Sequence, residues 1–189
     1  EYLHTLGYET TCNIMAISQA SETDIETALE MLCNSNVDVI YLVDSYGYFY
    51  PESAAKMAKK YVEFGEKYDK TIGFHGHNNQ NLAFANTIET LSYGISFVDA
   101  TVSGMGRGAG NCAMELMLGF LKNPKYNLFP MLSFIEKQIP KLKETGVQWG
   151  FDIQYMITGQ LNCHPKEAIR FTNEHRSDYC EFYRDILDI

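Results

Sequence analysis

The sequence predicts an α/β fold in which four parallel strands alternate with helices, followed by an all-α segment. Short apolar runs rich in β-branched and aromatic residues recur four times, and helical patterns separate them. Each step from strand to strand takes roughly 30 residues, the size of a βαβ unit. Such units in series fit half of a (β/α)₈ barrel or part of an open doubly wound sheet. No GxGxxG motif follows the first strand, which disfavours a dinucleotide-binding sheet.

The strand-like runs are compact, as is typical of parallel strands covered on both faces. The helical patterns between them carry start and stop signals. Ser21 with Asp24 three residues later forms a near capping box, Pro51 stands at a helix entry, and Gly94 fits a C-cap. We place the strands at residues 9–15, 37–43, 71–75 and 97–102, and the helices between them at residues 21–36, 51–68 and 81–94.

The character of the sequence changes after residue 112, where strand-like runs give way to helical patterns rich in aromatic residues. Pro140 falls inside one of these patterns and predicts a kink. The change divides the chain into a βα segment, residues 1–122, and a helical extension, residues 123–189. We place the later helices at residues 112–123, 129–146, 151–171 and 176–189.

Length and composition bound the class of protein. The 189 residues suffice for one good-sized core, and a net charge of -9 disfavours a nucleic-acid or anionic-membrane partner. No apolar run reaches the length of a membrane span, and no signal peptide opens the sequence. Five cysteines without CxxC spacing favour reduced thiols and a cytoplasmic location. Both ends interrupt a helical pattern, so we expect a piece of a longer protein.

The stretch GFHGHNN places two histidines at the end of the third predicted strand. Side chains two apart on a strand point to the same side, so His75 and His77 face one point at the carboxyl rim of the sheet. Parallel α/β folds place their chemistry at this rim. Two convergent imidazoles predict part of a divalent metal site. The alternative is a pair of hydrogen-bonded histidines without a metal.

A glycine-rich loop, GMGRGAGN, follows the fourth predicted strand at residues 104–111. Its glycines allow the backbone to approach a ligand closely, and its exposed N–H groups suit an anion. Gly106 and Gly108 are therefore candidate substrate-binding positions, and Asn111 would bring an oxygen donor to the site. The alternative is a flexible connector.

Three further polar residues lie in or beside the predicted strands. Asp44 ends the second strand, where its carboxylate either binds substrate or caps the next helix. Asn13 is similarly placed on the first strand and is also a candidate substrate-binding residue. Asp99 lies inside an apolar strand, which favours a buried, hydrogen-bonded structural role over a ligand role.

The segment from GFHGHNN through VDATV to GMGRGAGN resembles the metal-binding half of the DRE-TIM metallolyase superfamily. This superfamily includes 4-hydroxy-2-oxovalerate aldolase, 3-hydroxy-3-methylglutaryl-CoA lyase, and isopropylmalate and homocitrate synthases. The HxH pair, the VDA strand and the glycine loop occur in the same order. The glycine loop and VIYLVDSYG resemble the aldolase branch more than the synthases. The resemblance covers residues 9–122 well and is weaker in the helical extension.

The resemblance implies the C-terminal half of a (β/α)₈ barrel, strands five to eight, in residues 1–122. It implies that His75 and His77 bind a divalent cation, Mn²⁺ or Mg²⁺, with Asn111 at or near it. In the superfamily a third ligand, an aspartate, lies on the first strand, and a catalytic arginine and a histidine base come from the same region. This sequence has no counterpart of these groups, so we expect the chain to be inactive alone.

The implied activity is aldol cleavage of a 4-hydroxy-2-oxo acid to pyruvate and an aldehyde. Tyr155 is a candidate proton donor, because aldolase relatives carry a tyrosine in that region. A Claisen-type acyl-CoA-dependent synthase, a 3-hydroxy-3-methylglutaryl-CoA lyase and a non-catalytic relic binding domain are the alternatives. A zinc amidohydrolase is disfavoured because its HxH pair lies on the first strand. The resemblance suggests an acylating aldehyde dehydrogenase as partner and leaves a homo-oligomer open.

Overall fold

The computed structural model describes residues 2–122 and 125–188. Its sheet has four strands that are all parallel and that follow one another in sequence order. This order confirms the predicted α/β fold with a parallel sheet. The strands are β1 (Thr11–Ile14), β2 (Val39–Asp44), β3 (Thr71–Gly76) and β4 (Phe97–Val98).

The fourth strand is much shorter than the predicted run of residues 97–102. Its ladder with β3 covers only the pairs Gly73–Phe97 and Phe74–Val98. Beyond Val98 the backbone stays beside β3, because the Asp99 N–H donates to the Phe74 carbonyl, and then turns toward the segment after the glycine loop. The prediction of a six-residue strand was therefore wrong, although the chain still carries Asp99 alongside β3.

Helices lie between the strands and fill the C-terminal third of the chain. Ser21 caps α2 as predicted, because its hydroxyl accepts the Asp24 N–H and donates to the Asp24 carboxylate. The helices are α1 (Tyr2–Thr5), α2 (Glu22–Cys33), α3 (Pro51–Tyr68), α4 (Ala83–Ser92), α5 (Met114–Leu121), α6 (Leu128–Glu144), α7 (Ile153–Gln160), α8 (Lys166–Asn173) and α9 (Tyr179–Leu187). Residues 123 and 189, predicted to be helical, lie outside the described residues.

The main core lies between one face of the sheet and the helices α2 and α3. Alternate side chains of β2 and β3 point to this face, where they are shielded from water. The buried contacts come from Ile40 and Leu42 of β2, Ile72 and Phe74 of β3, Leu29 of α2, and Ala54, Ala58 and Tyr61 of α3.

The opposite face of the sheet is the one that would line a closed barrel. At its centre Val39, Tyr41 and Val43 are buried, and the Tyr41 ring lies against Gly73, where a Cβ would come within 2.7 Å. The outer strands expose Thr11, Asn13 and Phe97 on this face. The central side chains cover one another, so exposure is confined to the flanks.

The helical extension packs on the carboxyl rim of the sheet. Residues 151–171, predicted to be helical, form two helices, because the chain turns at Asn162 with φ 55° before Pro165. In the loop after β1, the Ser18 hydroxyl donates to the Asn162 side-chain oxygen at 2.6 Å, and the Asn162 side-chain amide donates to the Ser18 carbonyl at 2.9 Å. Helix α7 is therefore fixed above the strand ends. None of the described helices is both long and apolar enough to cross a membrane.

Candidate active site

His75 and His77 lie together where β3 ends. Their ring centroids are 4.9 Å apart and the ring planes are inclined by 71°. Nδ1 of His75 lies 2.8 Å from Oδ2 of Asp99, and Nδ1 of His77 lies 2.9 Å from the carbonyl oxygen of Asp44. The structure thus brings together the two histidines that the sequence predicted to converge.

These hydrogen bonds select one tautomer for each neutral ring. A carbonyl oxygen only accepts, so Nδ1 of His77 carries its proton, and the carboxylate of Asp99 favours the same arrangement in His75. Nε2 of each ring then keeps its lone pair. A metal-binding histidine typically donates its other ring N–H to a carboxylate or a backbone carbonyl. The two imidazoles therefore fit a divalent cation.

The surroundings keep His77 uncharged. Burial lowers the pKa of its imidazole below the usual 6.5, and repulsion from the Arg107 guanidinium and from His75 in its protonated form lowers it further, while the hydrogen bond to the Asp44 carbonyl opposes these effects. A neutral ring is the form that binds metal. The electrostatics therefore favour the ligand form at neutral pH.

Asp99 is the site residue whose role the sequence analysis missed. We predicted a buried structural group, but its side chain is 41% exposed and it pairs with His75. Burial, together with the nearby charge of Asp99, raises the pKa of Tyr41 to about 12. The register of β3 and β4 could have revealed this role. Phe74 pairs with Val98, so the next residues along the two strands, His75 and Asp99, lie side by side.

Asp44 ends β2, and its carboxylate holds the loop that follows the strand. Its side chain is buried, and its two carboxylate oxygens accept the N–H groups of Tyr48 and Phe49 at 2.9 and 3.1 Å. Burial raises the pKa of Asp44 to about 6, although these hydrogen bonds act to lower it. The N-cap of α3 is Tyr50, so the capping alternative is wrong. Substrate binding by Asp44 stays a prediction.

The glycine loop forms the wall next to the histidines. Asn111 pairs with His77 in an isolated antiparallel bridge, and the Asn78 N–H donates to the Gly110 carbonyl at 2.9 Å. The Asn111 side-chain amide donates to the Met105 carbonyl within the loop at 3.1 Å, which leaves its oxygen without a hydrogen bond among the described residues. Asn111 is thus beside His77, as predicted, and its role as metal neighbour stays a prediction.

Two glycines of the loop allow close packing by their neighbours. A Cβ on Gly106 would lie 2.5 Å from the Asn111 side-chain nitrogen, and one on Gly108 would lie 2.6 Å from the Tyr155 ring. Gly108 also has φ 62°, which disfavours other residues. The structure therefore places Tyr155 of α7 against the same loop that borders His77. The catalytic role of Tyr155 and substrate binding by Gly106 and Gly108 stay predictions.

Asn13 is farther from the histidines than the other candidates. It pairs with Tyr41, which pairs with Gly73, so it shares the face of His75 but lies two residues closer to the amino ends of the strands. Its side chain is exposed. Substrate binding by Asn13 stays a prediction.

Among the described residues, the histidine pair is not joined by a third histidine, cysteine, aspartate or glutamate ligand. Within residues 2–122 and 125–188, no group of three histidine, cysteine, aspartate or glutamate side chains is arranged to hold a metal ion. The residues present therefore fit two imidazole ligands, with Asn111 as the predicted neighbour of the cation.

A four-stranded parallel sheet with helices on its outer face and paired histidines at its carboxyl rim fits part of a (β/α)₈ barrel. Residues 1–138 match the HMGL-like family, and the chain belongs to that family.

Named relatives include two enzymes that act on carbon–carbon bonds. Oxaloacetate decarboxylase of Mycobacterium tuberculosis is 45% identical over 87 residues, which are 46% of this chain and 25% of that protein. 4-Hydroxy-2-oxovalerate aldolase of Desulfitobacterium hafniense is 38% identical over 162 residues, 84% of this chain and 47% of that protein. The chain thus spans less than half the length of either relative.

The crystal structure of the N-terminal domain of a proposed aldolase from Bacteroides vulgatus has a similar fold. It superposes with a TM-score of 0.72 and 32% identity, covering 90% of this chain and 56% of that one. A partial barrel therefore agrees with the fold of a solved relative.

Proposed function

We propose that this chain supplies the metal-binding half of a divalent-metal-dependent carbon–carbon lyase, which cleaves a 4-hydroxy-2-oxo acid to pyruvate and an aldehyde. The observation that carries the proposal is the pair of Nδ1 hydrogen bonds, 2.8 and 2.9 Å long, that leave both Nε2 atoms free to bind a cation. The named aldolase relative at 38% identity supports the substrate class.

His75 and His77 would hold the cation, Mn²⁺ or Mg²⁺, with Asn111 beside them. When bound, it supplies Lewis-acid polarisation of the 2-oxo group. Asp99 and the Asp44 carbonyl keep the imidazoles in the orientation and tautomer needed. The glycine loop and α7 border the space next to them, where Tyr155 would donate a proton.

The proposed cleavage needs no oxidant, reductant or second substrate. A base removes the 4-hydroxyl proton, the bond between C3 and C4 breaks, and the aldehyde leaves. The electron pair of that bond forms the enolate of pyruvate, which a proton at C3 converts to pyruvate. By the resemblance, the base belongs to a region without a counterpart in this sequence.

Decarboxylation of oxaloacetate is a second candidate, favoured by the relative of that name at 45% identity. It breaks the corresponding bond, releases carbon dioxide instead of an aldehyde, and passes through the same enolate. The histidine pair would therefore suit either reaction. Which of the two reactions occurs depends on the protein groups that contact C4 of the substrate.

The test is the formation of a complex of chain, Mn²⁺ and 2-oxo acid, followed by water-proton relaxation. Mn²⁺ should bind the chain weakly, and pyruvate or 4-hydroxy-2-oxovalerate should alter its relaxation, whereas acetyl-CoA should not. His75→Ala should abolish the binding, and His4→Asn, a change of an exposed histidine at the amino ends of the strands, should not. Unchanged Mn²⁺ binding in a His75→Ala, His77→Ala double variant would refute the proposal. A response to acetyl-CoA alone would favour the Claisen-type alternative.

Three finer features belong to the same proposal. The free cysteines Cys12, Cys33, Cys112, Cys163 and Cys180 support a cytoplasmic setting. An acylating aldehyde dehydrogenase would consume the aldehyde product. A homo-oligomer would cover exposed apolar side chains such as Phe129, which is 74% accessible.

A further inference from the structure

Arg107, at the centre of the glycine loop, differs from the other arginines in having no carboxylate partner among the described residues. The chain has four arginines. The other three pair with acidic side chains: Arg170 with Glu167 at 2.8 Å, Arg176 with Asp178 at 2.7 Å, and Arg184 with Glu181 at 3.6 Å. Arg107 is exposed in a protein of net charge -9. An unpaired guanidinium in such a chain is available to an external anion.

The neighbours of Arg107 place it at the candidate active site. Gly106, on one side, packs against the side chain of Asn111, the residue that bridges to His77. Gly108, on the other side, packs against the ring of Tyr155. Arg107 therefore stands on the loop between the histidine pair and α7.

The loop that carries Arg107 is held in place at several points. The indole N–H of Trp149 donates to the Ser103 carbonyl at 2.8 Å, and the Gly150 N–H donates to the Gly108 carbonyl at 3.0 Å. Within the loop, the Gly110 N–H donates to the Arg107 carbonyl at 3.1 Å. The backbone under the guanidinium is thus fixed, which lowers the entropy lost when a ligand binds.

We infer that Arg107 is a substrate-binding residue that contacts the carboxylate of the 2-oxo acid through its guanidinium. The inference rests on the proposed function and deepens it. A planar guanidinium binds a carboxylate through two parallel hydrogen bonds, a geometry that an ammonium does not reproduce. Glycines on both sides of Arg107 add no side chain that would crowd the ligand.

The single tryptophan gives a readout that does not depend on turnover. The indole N–H of Trp149 donates to the Ser103 carbonyl directly before the glycine loop, and its ring lies beside Gly110, so its resonance should report a ligand bound there. The experiment titrates the ¹⁵N-labelled chain, with Mg²⁺ present, with pyruvate and with methyl pyruvate, the uncharged ester. The variants are Arg107→Gln, the charge-conserving Arg107→Lys, and Arg184→Gln as a matched control on α9.

Pyruvate should shift the indole resonance of the natural chain, and methyl pyruvate should not. Arg107→Gln should weaken pyruvate binding by about tenfold or more, the usual effect of losing a charged hydrogen bond. Arg107→Lys should recover only part of the affinity, and Arg184→Gln should bind normally. Equal affinity in Arg107→Gln, equal binding of the ester, or no pyruvate binding at all would overturn the inference. Mn²⁺ binding by the Arg107→Gln chain, measured separately, tests the proposed function independently.

Discussion

Nδ1 of His75 and Oδ2 of Asp99 lie 2.8 Å apart and join residues separated by 24 positions in the sequence. The contact links the carboxyl end of β3 to the segment that follows β4. It fixes which nitrogen of His75 faces the candidate site and makes that nitrogen more basic. Metal binding by the proposed site should therefore depend on Asp99 as well as on the two imidazoles.

Replacing Asp99 should weaken metal binding without abolishing it. Asp99→Ala leaves His75 free to rotate and to change tautomer, so the affinity for Mn²⁺ should fall about 10- to 100-fold. Asp69→Asn, in the turn before β3 at the opposite end of the strand, should have no effect. Calorimetric titration with Mn²⁺ measures the affinity of each variant. A normal affinity in Asp99→Ala would show that the hydrogen bond does not support the site.

The lowered pKa of His77 predicts a stability that falls on acidification. Burial lowers the folded-state pKa below the usual 6.5, so the unfolded chain binds more protons as the pH falls through 6.5 toward the folded value. The contribution of His77 is thus fully present above pH 6.5 and is lost below it. His77→Asn keeps an N–H for the Asp44 carbonyl and does not titrate.

Urea unfolding with a metal chelator present, at about pH 7.5 and about pH 5.5, tests this prediction. The natural chain should lose more unfolding free energy between the two pH values than His77→Asn. The Asp44 carboxyl is present in both chains, so its own titration largely cancels. Equal losses would contradict the assigned direction of the His77 pKa shift.

Gly159 is the residue that lets α7 dock on the strand ends. A Cβ there would lie 2.8 Å from Cβ of Asn79 and 3.2 Å from the Gly47 carbonyl oxygen. Gly159→Ala should therefore lower the unfolding free energy by about 1–3 kcal/mol, the usual cost of overpacking. Gly119→Ala in α5 meets nothing within 4 Å and should stabilise the chain by about 0.5–1 kcal/mol. Similar effects in both variants would show that α7 does not dock as described.

The chain by itself should release no pyruvate from 4-hydroxy-2-oxo acids. The described residues hold two histidines at the site but no cluster of three metal ligands, and the implied base has no counterpart in the sequence. A coupled assay for pyruvate, with Mn²⁺ and purified chain, should stay at the rate measured for Mn²⁺ alone. Turnover that His75→Ala removes would show that the acid–base groups lie within this chain.

The local pattern of the sequence determined the order of the elements and the main pair of site residues. Apolar runs and helix caps predicted a four-stranded parallel sheet. Strands buried on both faces are apolar throughout, and a helix start needs a polar residue to cap its N–H groups, so both leave a signal within a few residues of sequence. The spacing of His75 and His77 predicted their convergence for the same reason: alternation along a strand is a property of the backbone alone.

Tertiary structure decided what the neighbouring side chains do. The partners of His75 and of Asp44, the placement of α7 on the rim, and the burial of Val39, Tyr41 and Val43 all depend on strand register and on contacts between distant segments. Local pattern does not fix these. The length of β4 is likewise determined by its pairing with β3, because an edge strand has a hydrogen-bonding partner on one side only.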